Sequence, residues 1–227
     1  MVYAHDFFMA FPGWLAARLS GARFVYDAHE LIVPAPGERL SRRDAFWYHL
    51  ERVVVGRAEL VVAANAERAA LMREHYGLPE TPVVVRNITA PPVPRLTDAA
   101  ALARYPALRR TRHDELLVVY QGDMSLARGL GALLDAVALL PEHVRLVLVG
   151  SGPDHAAIET RVAQPPLAGR VSLTGRVPRD DLYDMLRLCD IGLISYPMEG
   201  LNNVYCAPNK IFEYAQAGLP VVATPQP

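Results

Sequence analysis

Lys210 and Glu213 are charged residues three positions apart, and they follow Pro208 and Asn209, a pair that suits the start of a helix. On a helix, residues with this spacing share one face, with about 5 Å between their side-chain roots. A lysine facing a pyrophosphate and a carboxylate accepting two ribose hydroxyls would need such an arrangement. The alternative is a surface Lys–Glu pair, which stabilises a helix by only about 0.2–0.5 kcal/mol.

Lys210 is the only lysine among 23 lysine and arginine residues. In a chain that otherwise uses arginine, a retained lysine indicates a position where a compact ammonium is preferred to a planar guanidinium. Chance is the alternative, because an exposed lysine commonly has no specific role.

Glycine turns follow two of the predicted strands. The segment from Gly122 to Gly129 places Arg128 at the opening of a predicted helix, where backbone N–H groups and a guanidinium suit a phosphate. Arg128 as a solvated first-turn residue is the alternative. The turn at Gly150 has Pro153 where a dinucleotide-binding fingerprint has its third glycine, so it predicts a close-packed turn rather than an NAD site.

His29 follows an apolar run that ends in Tyr26 and Asp27. An imidazole in that position can donate a hydrogen bond or a proton near neutral pH. A loop histidine that caps a backbone group is the alternative.

Composition narrows the class of protein. The 227 residues carry a formal net charge of −1. This charge argues against a nucleic-acid-binding protein that works by neutralising many phosphates. Cys189 and Cys206 form no CxxC pair, so neither a disulfide framework nor a metal site is predicted, and no cofactor is expected. Pro12 interrupts the longest apolar run, and no secretory signal follows Met1, so a cytoplasmic location is expected.

Short apolar runs alternate with helical stretches along the whole chain, a pattern typical of an α/β fold with parallel sheets. Strands are predicted at Val2–Ala4, Phe24–Asp27, Leu60–Ala63, Pro82–Arg86, Leu116–Tyr120, Val144–Val149, Arg170–Thr174, Ile191–Ser195 and Pro220–Ala223. Helices are predicted at Phe11–Leu19, Arg42–Gly56, Ala66–Tyr76, Arg128–Leu140, Asp154–Ala163, Asp180–Leu188 and Lys210–Ala217. Phe7, Phe8, Phe11 and Trp14 are interpreted as a buried helix face, with contact to a lipid acceptor or a membrane as the alternative.

This rhythm predicts two Rossmann-like lobes, residues 1–88 and 116–227. A proline- and arginine-rich linker, residues 89–115, joins them and carries at most one short helix. Two complete lobes need roughly 300–400 residues at ordinary domain sizes, so both lobes are expected to be incomplete.

Five segments, in this order and spacing, resemble family-4 glycosyltransferases of the GT-B fold. They are Asp27–Glu30, Gly122–Gly129, Val149–Pro153, Thr174–Pro178, and Pro208–Tyr214 followed by Ala217–Val222. The resemblance covers nearly all of the chain. It implies retaining transfer of a sugar from a nucleotide-diphosphate donor to a hydroxyl acceptor.

The resemblance also implies roles for particular residues. Glu213 matches the second carboxylate of the Glu-x7-Glu motif, which binds the donor ribose. Arg128 matches a basic residue facing the pyrophosphate, near the turn at Gly122. His29 matches the acceptor-lobe histidine near the transferred sugar, and the backbone of Arg176 and Val177 would border the base. Lys210 is a second cation inferred from the residues themselves, with Asn209 beside it.

Three features depart from the family pattern. Tyr205 stands at the first glutamate of the motif, where Glu199 could substitute only if the loop were longer. Asp123 stands where many relatives have an arginine. The family's N-terminal glycine-rich loop, which closes over the donor, is not found in this sequence.

The expected function is therefore glycosyl transfer in cell-surface polysaccharide or glycolipid assembly, with His29, Arg128 and Lys210 as catalytic candidates. The expected partners are a nucleotide-diphosphate sugar and a glycan or lipid-linked acceptor, without nucleic acid. Peripheral contact with the inner face of the plasma membrane stays open. The alternatives are a nucleotide-sugar epimerase and a non-catalytic nucleotide-sugar-binding remnant.

Overall fold

The computed structural model describes residues 1–227, with parallel strands and helices alternating along the chain. The strands are β1 (Val2–His5), β2 (Phe24–Ala28), β3 (Leu60–Ala63), β4 (Val83–Val84), β5 (Leu116–Gln121), β6 (Val144–Val149), β7 (Val171–Gly175), β8 (Ile191–Ile194) and β9 (Val221–Ala223). The helices are α1 (Phe7–Ser20), α2 (Arg42–Val54), α3 (Ala66–Tyr76), α4 (Asp98–Arg104), α5 (Leu130–Leu139), α6 (His155–Val162), α7 (Arg179–Leu186), α8 (Leu201–Val204) and α9 (Lys210–Gln216). The predicted α/β class is confirmed. None of these helices has the length and apolar character needed to cross a bilayer.

The chain divides into two compact units. Unit 1 comprises Met1–Asn87 and Met198–Ala207 with Gln226–Pro227, and unit 2 comprises Ile88–Pro197 with Pro208–Pro225. Each unit is built on its own parallel sheet with its own buried core.

Unit 1 contains a four-stranded sheet in the order β1-β2-β3-β4. Strand β2 is buried along its whole length because it lies inside the sheet, with α1 packed against it. Strand β1 runs parallel to β2 with His5 opposite Asp27, so the carboxyl ends of the two strands coincide.

Helix α1 differs from its prediction in length and in the face that it buries. It begins at Phe7, four residues earlier than predicted, because the Asp6 side chain accepts a hydrogen bond from the Phe7 N–H. Its buried residues are the small Ala10, Gly13 and Ala17. A Cβ on Gly13 would lie 2.6 Å from the Cβ of Ala4, so helix and strand approach too closely for a larger side chain.

The prediction that the α1 aromatic residues form a buried face holds only in part. Phe11 and Trp14 are partly buried against the core of unit 1, whereas Phe8 stays 39% exposed. Phe7 and Phe8 contact Trp47 of α2 instead.

Unit 2 contains a five-stranded parallel sheet in the order β7-β6-β5-β8-β9. The chain moves outward from β5 to β6 and β7, and then returns to the other side of β5 with β8. Such an open sheet has a topological switch point between β5 and β8, where a crevice forms beyond the carboxyl ends of the strands.

The segment predicted as a linker packs into unit 2 instead of running free between lobes. Ala101, Tyr105 and Leu108 are buried, at spacings of four and three residues that place them on one side of α4 and the turn that follows. Asp184 of α7 accepts hydrogen bonds from the N–H groups of Arg95 and Leu96 at 2.7 and 2.8 Å. The prolines and arginines of this stretch predicted a linker, whereas the spacing of its three buried apolar residues holds it against unit 2.

Candidate functional site

The carboxyl ends of β5 and β8 in unit 2 bring together residues from four separate stretches of the chain. Strand β5 ends in Tyr120 and Gln121, and β8 is followed by Ser195 and Tyr196. These ends flank the switch point of the sheet, the position at which open α/β sheets bind ligands.

Glycine turns let the backbone segments at this edge approach each other closely. Gly122 follows β5 with φ 139°, and Gly150 follows β6 with φ 136°. A Cβ on Gly150 would overlap the carbonyl oxygen of Gly122, and one on Gly129 would overlap that of Ser195. Only glycine combines such backbone angles with such close packing.

Lys210 opens α9 and extends its side chain to the Gly122 turn. Its Nζ lies 4.0 Å from the ring centre of Tyr120 and 5.2 Å from that of Tyr196. A Cβ on Gly122 would lie only 3.2 Å from this Nζ. The lysine is buried, with 6% of its surface exposed, so its charge is placed inside unit 2 against two aromatic faces.

Arg128 supplies a second cation beside Tyr196. Its guanidinium carbon lies 5.0 Å from the ring centre of Tyr196, and its backbone carbonyl accepts a hydrogen bond from Ser195 Oγ at 3.1 Å. Burial raises the pKa of the nearby Tyr120, and the charge of Arg128 partly opposes that rise. Two cations therefore share the Tyr196 ring at the end of the central strands.

Glu213 lies one turn after Lys210 and accepts a hydrogen bond from the side-chain amide of Gln121. The amide oxygen of Gln121 is buried and has no hydrogen-bond partner within the protein. The backbone N–H of Gln121 donates to Tyr214 Oη at 3.0 Å, which ties α9 to β5. Buried polar atoms normally have a partner, so this oxygen is an exception at the edge of the sheet.

A cavity of about 360 Å³ lies inside unit 2 between the 89–95 segment and helices α7 and α9. Glu213 stands on its wall together with Thr89 and Gln216. The carboxylate thus borders both the strand-end cluster and an open space.

The other predicted residues of unit 2 lie before α9 and after β5 and β7. Asn209 precedes α9 and accepts hydrogen bonds through its backbone carbonyl from Phe212 and Glu213. Arg176 and Val177 follow β7, which is two strands away from β5, and Arg176 is exposed. Asp123, the departure from the family pattern, lies against Gly152.

His29 and Tyr205 belong to unit 1. His29 follows β2, and its Nε2 lies 3.6 Å from Asp27 Oδ2. The Tyr205 carbonyl accepts hydrogen bonds from Arg68 Nε at 2.6 Å and from Asn65 at 3.1 Å. The residue at the first motif glutamate is therefore held within unit 1, whereas Glu213 lies in unit 2.

Sequence reasoning brought forward Arg128, Lys210 and Glu213 but missed their aromatic and amide neighbours. Tyr120 entered the prediction only as the last residue of a strand, and no role was predicted for Gln121 or Tyr196, which follow two of the predicted strands. A polar or hydroxylated residue closing an apolar strand of a parallel sheet is the signal that could have identified them.

Two family models match the chain. One, described as glycosyl transferases group 1, matches residues 115–227, and the other, described as a glycosyl transferase 4-like domain, matches residues 1–88. The chain belongs to glycosyltransferase family 4. The two matches leave out residues 89–114 of this family-4 chain, which belong to unit 2.

A similar curated protein is the D-inositol 3-phosphate glycosyltransferase of Xylanimonas cellulosilytica. It is 28% identical over 244 residues, an alignment that covers 98% of the family-4 chain and 55% of the relative. The family-4 chain therefore spans about half the length of this relative.

Solved structures share the GT-B fold with this family-4 chain. Anabaena Alr3699/HepE in complex with UDP-glucose matches with a TM-score of 0.74 at 21% identity, covering 97% of this chain and 58% of that one. Sucrose-phosphate synthase from Thermosynechococcus elongatus matches with a TM-score of 0.72 at 20% identity, covering 97% and 55%. These likenesses confirm the predicted fold.

Proposed function

We propose that this chain binds a nucleotide-diphosphate sugar at the carboxyl edge of the unit 2 sheet and takes part in glycosyl transfer. The observation that carries the proposal is the position of Lys210, whose buried ammonium lies against the Gly122 turn. Both this ammonium and the guanidinium of Arg128 lie near the ring of Tyr196. Two cations at a backbone turn suit a pyrophosphate. The structures of the Anabaena relative with UDP and with UDP-glucose support a donor of this class.

In this proposal Lys210 and Arg128 act on the leaving group. Transfer breaks the bond between the anomeric carbon and the phosphate oxygen, so negative charge grows on the diphosphate while the sugar acquires oxocarbenium character. Preorganised cations stabilise that growing charge more than they stabilise the bound donor. The acceptor oxygen then bonds to the anomeric carbon, and its proton passes to an oxygen of the departing diphosphate.

Glu213, Gln121 and Asn209 are proposed to hold the nucleoside part. The Glu213 carboxylate can accept hydrogen bonds from two ribose hydroxyls, and it borders the cavity beside α9. Gln121 positions this carboxylate through the hydrogen bond that its side-chain amide donates. Arg176 and Val177 stay proposed neighbours of the base, and His29 stays a proposed acceptor-side catalytic residue.

The finer features of the reaction are proposed from the family resemblance. They are retention of configuration at the anomeric carbon, a glycan or lipid-linked acceptor, and a role in cell-surface polysaccharide or glycolipid synthesis at the cytoplasmic side of the membrane.

Peripheral membrane contact is proposed for the aromatic surface formed by α1 and α2. Phe46 is 56% exposed and packs edge-on against Trp47, which also contacts Phe8. Arg42 and Arg43 are exposed in the first turn of α2. Aromatic rings flanked by arginines suit the interface of an anionic bilayer. The fraction of protein that sediments with anionic vesicles should fall for Phe46→Ala. It should stay unchanged for Leu139→Ala, which alters an exposed leucine of unit 2.

Isothermal titration with UDP, GDP and ADP tests the donor site directly. We expect one of the three to bind, and Lys210→Met to weaken binding by about 10–100-fold, because a hydrogen bond to a charged group contributes about 1.5–3 kcal/mol. Arg112→Ala removes an exposed cation that pairs only with Asp114, so it is the matched control and should bind normally. Absence of heat with all three nucleotides, or equal loss in the control, would contradict the proposal.

Product analysis separates the proposed transfer from its alternatives. A new glycosidic linkage supports glycosyl transfer, whereas an altered free donor sugar supports an epimerase. Nucleotide binding without any product supports the non-catalytic remnant.

A further inference from the structure

Three potential metal ligands meet at the carboxyl ends of β1 and β2 in unit 1. His5 is the last residue of β1 and pairs in register with Asp27 of β2, and His29 follows β2 directly. Because the two strands are parallel neighbours, all three side chains reach the same edge of the sheet. The expectation from the sequence was no metal site, because only the pairing of β1 with β2 brings His5 beside Asp27 and His29.

The distances within this cluster suit a small cation. The Nδ1 of His5 lies 3.1 Å and the Nε2 of His29 lies 3.6 Å from Asp27 Oδ2. Ligands bound at 2.0–2.1 Å in a tetrahedral zinc site lie roughly 3.4 Å apart, which matches both values. All three ligand atoms lie within 4.8 Å of one another, and both histidines are exposed enough for a small rotation to close the remaining gap.

The carboxylate of this cluster is held in place by its neighbours. Only 11% of the Asp27 side chain is exposed, and Tyr3 Oη donates a hydrogen bond to Asp27 Oδ2 at 2.6 Å. A hydrogen bond from a neighbouring residue to a metal-ligating carboxylate fixes the orientation of that carboxylate. The His5 and His29 side chains are 58% and 37% exposed, so an ion has an open path and space for a further ligand.

The backbone next to His5 is held in an unusual conformation. Asp6 is the only non-glycine residue with a positive φ in residues 1–227, at 66° with ψ 161°. Its N–H donates to the Asp27 carbonyl at 2.8 Å, which fixes the end of β1 against β2 beside the cluster. Strain of about 1–3 kcal/mol at such a position persists only where the surrounding structure enforces it, and it concentrates at functional sites.

We propose that His5, Asp27 and His29 form a zinc-binding site, with His5 Nδ1, Asp27 Oδ2 and His29 Nε2 as the protein ligands. Two imidazoles and one carboxylate form a donor set that zinc accepts, and three protein ligands leave the fourth position to water or another molecule. The centres of the two imidazole rings lie 4.0 Å apart, close enough for both rings to share one ion. The site lies wholly in unit 1 and does not rest on donor binding in unit 2.

Cobalt(II) titration of the whole chain tests this site, because cobalt substitutes for zinc and reports its coordination through visible absorption. We expect one equivalent of cobalt to give d–d bands, and zinc to displace it. His5→Ala and His29→Ala should each abolish the bands. Tyr3→Phe should weaken zinc binding by about 10–100-fold, as expected when a hydrogen bond to a ligand is removed.

His113→Ala is the matched control, because it removes an exposed histidine of unit 2 and should leave the bands unchanged. Circular dichroism establishes that each variant is folded. Absence of bands in the unaltered chain would overturn the proposal, as would their survival in either ligand variant. Loss in the His113 control would show adventitious binding to surface histidines only and would also overturn it. The readout requires no nucleotide and no transfer activity, so its failure is distinct from failure of the proposed function.

Discussion

The ammonium of Lys210 lies 4.0 Å from the ring centre of Tyr120, so the chain's only lysine is stacked on the central strand of unit 2. The Gly122 turn also approaches this ammonium, since a Cβ at Gly122 would be 3.2 Å from it. Because Lys210 is buried, with 6% of its surface exposed, a wider guanidinium in this space would have to displace these neighbours.

Lys210→Arg should therefore fail as a conservative substitution. We expect a loss of unfolding free energy of about 1–3 kcal/mol from overpacking, together with weaker nucleotide binding. Urea unfolding and nucleotide titration measure the two effects, and Lys210→Met controls for loss of charge without added width. An arginine variant with unchanged stability and affinity would show that the narrow space has no consequence.

Gly150→Ala should lower the free energy of unfolding by more than the cost of placing an alanine at a positive φ. Its φ is 136°, and the new Cβ would overlap the Gly122 carbonyl oxygen, so backbone must move. Gly169→Ala is the control, because its φ is 76° but nothing lies within 4 Å of the added atom. We expect a cost of about 1 kcal/mol for the control and at least twice that for Gly150→Ala in urea unfolding. Equal costs would contradict the proposed contact.

Glu51 should make stability fall as pH rises toward neutrality. Burial raises the pKa of this carboxyl from 4.5 to about 7, although hydrogen bonds from Tyr26 and Tyr76 oppose the rise. Between these values the folded chain binds the proton that the unfolded chain has released, so stability present below pH 4.5 is lost as pH passes through 7.

The expected loss from Glu51 is on the order of 2–3 kcal/mol. Thermal unfolding from pH 5 to pH 8 measures it, and Glu51→Gln should remove this part of the slope. Glu80→Gln, at an exposed position, should keep it. A slope that survives in Glu51→Gln would assign the pH dependence to other groups.

Glu115 should act in the opposite direction at acid pH. Burial alone would raise its pKa, but hydrogen bonds from Thr111 and Arg145 outweigh burial and lower the pKa from 4.5 to about 2. The stability that this carboxylate contributes is present above pH 4.5 and is lost as pH falls through 2. Arg145→Met should destabilise the fold by about 3 kcal/mol at neutral pH, because it leaves a buried charge without its partner.

Urea unfolding at pH 7 and pH 3 measures the effect of Arg145→Met, which should be smaller at the lower pH. Arg112→Ala breaks an exposed ion pair with Asp114 and should leave the unfolding free energy nearly unchanged. A similar loss in both variants would mean that burial of the Arg145 pair adds nothing.

Regular elements were predictable wherever local pattern and end signals agree. Residues 66–76 form the predicted helix, because Asn65 caps its start and Gly77 adopts the left-handed conformation at its end. The strands at 60–63 and 144–149 also have their predicted bounds. The edge strand β4 is shorter than predicted and comprises only Val83 and Val84.

The sequence by itself determined the α/β class, the family resemblance and the charged residues Arg128, Lys210 and Glu213. These follow from periodicity and residue type, which act over a few neighbouring positions. Only the tertiary structure decided that Lys210 stacks on Tyr120, that Gln121 binds Glu213, that His5 meets Asp27 and His29, and that residues 98–108 pack into unit 2. Each of these contacts joins distant stretches of chain, and their meeting depends on strand order and register, which no local pattern encodes.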